Sequence, residues 1–419
     1  MKSASQRIGV NPFYGLFYLY LFANLLALIT LGFGLPIRVE TEEFSFDGAI
    51  VAVSALGLFF SLFAGLIVYR AALAMAKPRS ELIFGAGISL LLLLLQLGYL
   101  GFNTYYGVNI AGVEDEVQGN ALLHLFFWIT QPDLLFLILC IGIKSDRWFW
   151  ANAVVYTVSL LLRSWIGGLY LVAVVIAIRQ YPISISRRNL IYFFIVLLMG
   201  VLALPLIVSA KWFFRAGAGL GAALDFLSDV GYSSYLVECI AYVGNRFQHL
   251  GQVALLAQNS QSLNEAYDAG SFIPYWMDGA PQWLYLKMNG IDILQLNKHI
   301  VRNVLGSSNL AYSTNPGIAG WYFVLQYKTV FFSLYLLAIT LLPGIIALRL
   351  AGYKYFLLVN SFGLIYLFHG WMGAYFNLVL YVITLILIKH FLARGRRSEQ
   401  SRKSLGTKSV AVRHVPVQQ

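Results

Sequence analysis

The sequence predicts an all-α polytopic membrane protein, with about ten transmembrane helices and one large extracytoplasmic helical loop. Three observations predict it. Apolar residues make up 59% of the 419-residue chain, while Asp, Glu, Lys and Arg together reach only 11%, against roughly 25% in soluble domains. Many apolar runs approach or exceed the ~20 residues that cross a bilayer as a helix. The charges that remain fall in the connections between those runs. A soluble enzyme of this length and a disordered chain are both excluded by this composition.

The spans are read in order as Phe13–Leu35, Gly48–Tyr69, Leu82–Phe102, Ala121–Ile143, Trp148–Leu162, Ile166–Ile178, Leu190–Ala210, Val330–Leu348, Tyr355–Phe368 and Trp371–Ile388. They divide the chain into an N-terminal bundle (1–210), a loop (211–328), three C-terminal spans (329–391) and a basic tail (392–419) expected to be disordered. Phe13 opens a full-length span without a cleavage-site pattern, so the first run is read as a retained helix. With the N-terminus inside, every inner connection is net positive, including Arg179, Arg187 and Arg188 and the tail from Lys389. The outer ones are acidic, as at Glu114-Asp115-Glu116, or neutral, as across Lys211–Lys328. Positive residues stay on the cytoplasmic side, so both termini are expected there. The net charge of +11 is therefore a topology signal rather than a nucleic-acid surface. Cys140 and Cys239 lie in unlike surroundings, and no disulfide is expected. Zinc-ligand spacing and phosphate-binding glycine loops are absent, so neither a metal nor a nucleotide cofactor is expected.

The loop is too long for a passive connector, and it carries the chemistry-bearing residues. At about 100° per residue, Ser234–Gln258 reads as one amphipathic helix. Glu238, Tyr242, Asn245, Arg246, His249 and Gln252 share one face, and Leu236, Ile240, Val243, Phe247, Leu250 and Ala254 the other. A wet interfacial helix has the same pattern. The polar face, however, mixes a carboxylate, a guanidinium and an imidazole. A second amphipathic stretch, Ile293–Leu305, sets Gln295, Lys298, His299, Arg302 and Asn303 against Ile293, Leu296, Ile300 and Val304. Lys298 and Arg302 sit one turn apart and repel unless an anion intervenes; a solvated surface is the plain alternative.

Arg163-Ser164-Trp165-Ile166-Gly167-Gly168 forms an outer turn between two short spans, and its guanidinium needs a cavity or a partner. Asp133, after Pro132, is the available partner. Arg215 follows span seven as a headgroup anchor or a phosphate ligand. Thr314-Asn315-Pro316-Gly317 and the serines before it suit sugar hydroxyls or ordinary turns. Trp276, Trp283 and Trp321 suit sugar stacking or an interfacial belt.

Arg163, Arg215, Arg246 and Arg302 are external guanidiniums, which bind phosphate bidentately and keep their charge. They suit a lipid-linked pyrophosphate, and the polar loop suits a saccharide. The layout resembles the O-antigen or oligosaccharide repeat-unit polymerases of the Wzy type. It shares their ten to twelve spans, a dominant extracytoplasmic loop in the C-terminal half, the Arg163–Gly168 turn and the Arg- and His-bearing loop helices. The resemblance implies a GT-C-like membrane glycosyltransferase, metal-independent and free of cofactors. It implies an undecaprenyl-pyrophosphate-linked repeat unit as substrate, lipid contact, and a chain-length-regulating partner in the bacterial inner membrane.

The expected roles are pyrophosphate binding by Arg163, Arg215, Arg246 and Arg302, proton transfer by His249 or Glu238 with His299 in reserve, and sugar binding by Tyr242, Asn245 and Asn315. An O-antigen ligase with a loop histidine, a polyprenyl-phosphate-sugar transferase using Glu42-Glu43 or Glu114–Glu116, a flippase and a scaffold are the competing readings.

Overall fold

The helices begin where side chains can cap them. Asn11 accepts from the Phe13 amide at 3.0 Å ahead of Pro12, Asp47 from Ala49 at 2.8 Å, Asn120 from Leu122 at 2.9 Å and Ser186 from Asn189 at 3.1 Å. Each satisfies an otherwise orphaned N–H. The computed structural model describes residues 9–39, 42–78, 81–111, 120–184, 186–291, 293–307 and 314–411, with side chains as far as Phe391.

In chain order the elements are β1 (Gly9–Val10), α1 (Pro12–Gly32), β2 (Ile37–Val39), β3 (Glu42–Phe44), α2 (Gly48–Met75), α3 (Ala86–Tyr106), α4 (Ala121–Thr130), α5 (Pro132–Gly142), α6 (Asp146–Leu162) and α7 (Gly167–Gln180). Then follow β4 (Ile183–Ser184), α8 (Arg187–Arg215), α9 (Gly219–Val230), α10 (Tyr232–Asn245), α11 (Leu250–Gln258), α12 (Ser260–Asp268), α13 (Ala280–Met288), α14 (Leu296–Asn303), α15 (Gly317–Leu325), α16 (Thr329–Leu350), α17 (Tyr353–His369) and α18 (Met372–Ala411). The strands make only two antiparallel ribbons, β1 with β4 and β2 with β3. Among the described residues, 7 helical stretches are long and apolar enough to cross a membrane. The chain is a mostly helical, multi-pass membrane protein.

α17 is the axis of the bundle. Every residue from Tyr355 to His369 is buried, against α1, α2, α5, α7, α15, α16 and α18. Burial in protein rather than lipid explains how Asn360, Ser361 and His369 are accommodated there. Between membrane helices the hydrophobic effect supplies little, and close packing with polar contacts does the holding. Gln96 of α3 donates to Asn152 of α6 at 2.9 Å, and Asn152 donates back to the Ser89 carbonyl at 3.2 Å.

α8 is the opposite case. Residues Leu190 to Met199 are all exposed, on every side of the helix, and α8 packs mainly against α9 and α10.

The connections segregate to two ends. At one end Arg179 pairs with Asp146 at 2.6 Å, Lys354 donates to the Arg179 carbonyl at 2.7 Å, and Arg349 donates to the Met75 carbonyl at 2.9 Å. Lys389 reaches the Glu81 carbonyl at 2.9 Å. At the other end the 211–328 segment meets the connection after α1, where Gln248 donates to the Arg38 carbonyl, and the turn after α17, where Trp371 donates to Asn315.

Three expectations change. Ser234–Gln258 is two helices, not one, because the chain turns at Arg246–His249. Gly317–Leu325, placed in the loop, is an apolar helix leading into α16. The tail expected to be disordered continues α18 as helix through Ala411. Glu114–Glu116 and residues 308–313 lie outside the described residues.

Candidate functional site

The turn between α10 and α11 is built by a residue far away in sequence. Asn24, buried in α1, accepts from the His249 amide at 2.7 Å and the Leu250 amide at 3.1 Å. Its amide donates to the Phe247 carbonyl at 3.2 Å and the Tyr20 carbonyl at 2.8 Å. Asn24 thus caps α11 from another helix, which breaks the amphipathic phase that Ser234–Gln258 would otherwise keep. His249 leaves the polar face and goes inside, with 1% of its surface exposed.

There it meets a second histidine. The rings of His249 and His369 lie 4.4 Å apart, edge to face. His369 Nε2 bonds the Tyr20 hydroxyl at 3.0 Å, and its ring stacks on Trp371 at 4.8 Å. The Trp371 indole donates to Asn315 Oδ1 at 3.1 Å, and the Asn315 amide donates to Gln252 Oε1 at 2.5 Å. The turn approaches so closely that a Cβ at Gly370, where φ is +81°, would stand 2.6 Å from the Gly317 nitrogen. Only glycine suits that backbone and that contact.

No side chain among the described residues bonds either ring nitrogen of His249. Burial pushes its imidazole down to about 3, against a smaller upward pull from the Asn315 backbone and with added repulsion from Arg246. The ring is neutral near pH 7.

Arg246 connects this pair to a cluster of cations. Tyr242 is the hub. Its hydroxyl accepts from Lys211 Nζ at 2.5 Å and from Arg246 Nη2 at 3.1 Å, and both cations lie over its ring. Arg215 interacts with Tyr242 and Arg246 electrostatically and covers the Trp212 ring at 5.2 Å. Burial raises the Tyr242 phenol, but Arg246 and Lys211 outweigh it and the net shift is downward. Lys211 and Arg215 make no ion pair with a carboxylate among the described residues. Arg215 Nε is buried without a described partner. Buried cationic donors left in this state are costly unless an anion meets them.

The other candidates fall elsewhere. Arg163 is bound to Asp133 through two bonds of 2.9 and 2.7 Å, with Tyr99 and the Ser159 carbonyl as further partners at 3.3 Å. The expected partnership is formed, and it closes Arg163 to another anion. Its carboxylate lines a cavity of about 400 Å³ beneath the break between α4 and α5. Arg302 is exposed on α14. Glu238 is exposed on α10, beyond the turn that carries His249 away. Asn245 ends α10, half-buried.

His299 is buried against Phe272, with Asn303 Nδ2 at 3.0 Å, and burial lowers its pKa. The apolar side of α14 therefore includes this residue, which its periodicity had set among the polar ones. Asn315 reaches the histidine pair through Trp371.

Three contributors have only a weak mark in the sequence. Lys211 bounds the loop, and its spacing of four from Arg215 puts both on one face of α8. His369 and Trp371 flank a glycine between two spans, a short polar interruption that marks a turn. Among the described residues no group of three or more His, Cys, Asp or Glu gathers as metal ligands. No protein-family model, curated protein or solved structure matches the chain.

Proposed function

We propose that this protein is a membrane glycosyltransferase that polymerises undecaprenyl-pyrophosphate-linked oligosaccharide repeat units on the extracytoplasmic face of the bacterial inner membrane. In this reading the chain crosses about ten times in a GT-C-like arrangement with both termini cytoplasmic. The segregation of basic connections to one end supports that topology. The layout resemblance to Wzy-type polymerases supports the activity, as does the cation cluster.

The cluster is the observation that carries the proposal. Lys211, Arg215 and Arg246 converge on Tyr242 at the end of a long apolar helix. Fixed cations at that depth suit a diphosphate whose lipid tail runs down the exposed flank of α8. In the reaction the acceptor hydroxyl oxygen attacks the anomeric carbon of the growing chain. The bond from that carbon to the pyrophosphate oxygen breaks, and its electron pair leaves on the pyrophosphate. Lys211, Arg215 and Arg246 stabilise the charge that develops. His249 takes the hydroxyl proton. Burial is the main cause of its low basicity and Arg246 the smallest, so an anion seated on Arg246 lifts a minor part of that depression. Arg163 and Arg302 take no part in the headgroup site of this mechanism.

The test is Arg215→Ala and Arg246→Ala, assayed for polymer ladders at matched expression. Loss of a donor aimed at the leaving charge lowers rate by roughly 10²–10³. Ladders of normal intensity in both variants would contradict the role given to the cation cluster, and no ladder from the wild-type protein would contradict polymerisation.

One observation favours a second reading as a flippase for the same lipid-linked unit. The span holding α4 and α5 is broken at Gln131, in left-handed conformation with φ 42°, and Asp133 opens α5 beside the larger cavity. Discontinuous helices of this kind form transporter sites. Flux of lipid-linked saccharide across proteoliposomes without polymer formation would support that reading.

A further inference from the structure

Beyond the histidine pair, Trp371 forms part of a second wall. Its ring bounds a cavity of about 220 Å³ together with Asp278, Gln295, Asn297 and Trp321. None of Asp278, Gln295 or Asn297 takes part in the cation cluster, and the mechanism above does not use them. The cavity is smaller than the roughly 300–1,000 Å³ typical of drug-sized ligands, which suits one ring rather than an extended chain. Two indoles supply flat apolar faces, while a carboxylate and two amides supply directed hydrogen bonds.

The carboxylate is held in position. Asp278 Oδ2 accepts from the Gly373 amide at 3.0 Å, and Oδ1 accepts from Gln295 Nε2 at 3.1 Å. Each oxygen keeps a further acceptor position. The approach to α18 depends on Gly373, because a Cβ there would stand 2.6 Å from Asp278 Oδ1. Burial raises the Asp278 pKa, and the two donors pull it back only in part. Among the described residues Asp278 forms no ion pair. A partly buried carboxylate with two donors and no cation is a good acceptor for neutral hydroxyls, and a poor neighbour for a phosphate.

We infer that this cavity is a saccharide subsite, in which Asp278, Gln295 and Asn297 hold the hydroxyls of a single sugar ring against Trp321 and Trp371. The inference rests on the glycosyl-transfer reading for its place in the reaction. The ring it holds belongs to the repeat unit next to the bond being made, because Trp371 stacks on His369 and His369 meets His249. Asp278 acts here as a sugar-binding residue, with His249 remaining the proton acceptor.

The experiment is saturation-transfer NMR on the purified full-length protein, with a panel of methyl glycosides of hexoses and N-acetylhexosamines. Wild type should show transfer to at least one glycoside. Asp278→Asn should weaken it by roughly tenfold or more, the size expected for a hydrogen bond to a charged group. Asn297→Phe should abolish it by filling the cavity, and it keeps the test decisive where Asp278→Asn does not fold. No transfer from any glycoside to wild type, or undiminished transfer in the folded variants, overturns the inference.

The ladder assay separates this from the parent reading. Ladders lost in Arg215→Ala with glycoside binding blind to Asp278 and Asn297 overturn the subsite alone. No ladder made by the wild-type protein, with glycoside binding lost in Asp278→Asn, overturns glycosyl transfer and leaves a saccharide site standing.

Discussion

Arg163 and the Lys211–Arg215–Arg246 group are opposite designs. Arg163 is 4% exposed and holds Asp133 through both terminal guanidinium nitrogens. Its charge is answered inside the fold. Lys211 and Arg215 have a phenol, indole faces and each other's repulsion, and no described carboxylate. The difference teaches that counting external arginines is not enough. What marks an anion site is a cation whose neighbours leave its charge unmet.

The largest way to break the comparison is at Arg163. Arg163→Ala strands Asp133 beside the cavity, and losing one partner of a buried pair costs about 3–5 kcal/mol. Thermal stability in detergent should fall sharply, and Arg163→Met with Asp133→Leu should recover much of it. If Arg163→Ala is as stable as wild type, the pair is not structural and Arg163 rejoins the candidate anion ligands. At Arg215 the effect should vanish: Arg215→Ala should leave stability near wild type, because it removes repulsion from Arg246 along with packing.

A smaller effect sharpens the role assigned to His249. Its folded pKa of about 3 lies below the ordinary histidine value. Below about pH 6.5 the unfolded chain takes up a proton that the folded chain refuses, so stability falls as pH drops towards about 3. At about pH 5 the loss from this residue is roughly 2 kcal/mol. Thermal melts of wild type and His249→Gln across about pH 4 to about pH 8 should therefore converge as the pH falls. Curves that stay parallel would remove the buried neutral histidine.

Smallest is Asn24→Ala, which deletes the cap of α11 and should cost about 1 kcal/mol. Its diagnostic readout is the solvent exchange of the His249 and Leu250 amides, which should quicken. Unchanged exchange would mean the turn holds without Asn24.

The architecture was legible because apolar runs act locally. The caps at Asn11, Asp47, Asn120 and Ser186 are equally local, and they fix helix starts that the apolar runs leave loose. α17 shows a limit of that logic: it is too short and polar for an obvious span, and its burial by seven neighbouring helices is what permits it. The site was half legible. Tyr242, Arg246, His249 and Asn315 stand out by residue type and segment. Periodicity alone carries the helix through Arg246–His249, since nothing local announces that Asn24 will cap it from α1. Glu238 was grouped with His249 for that reason. His369, Trp371 and Asp278 join the site through contacts between chain segments far apart, which no window of sequence contains.

The central claim is that the cations around Tyr242 hold a prenyl diphosphate. The most direct measurement is binding of farnesyl pyrophosphate to the purified full-length protein by native mass spectrometry, comparing wild type with R215A/R246A and with Arg302→Ala. The account predicts binding in wild type and Arg302→Ala and its loss in the double variant. Equal binding in all three proteins, or none in any, would contradict it.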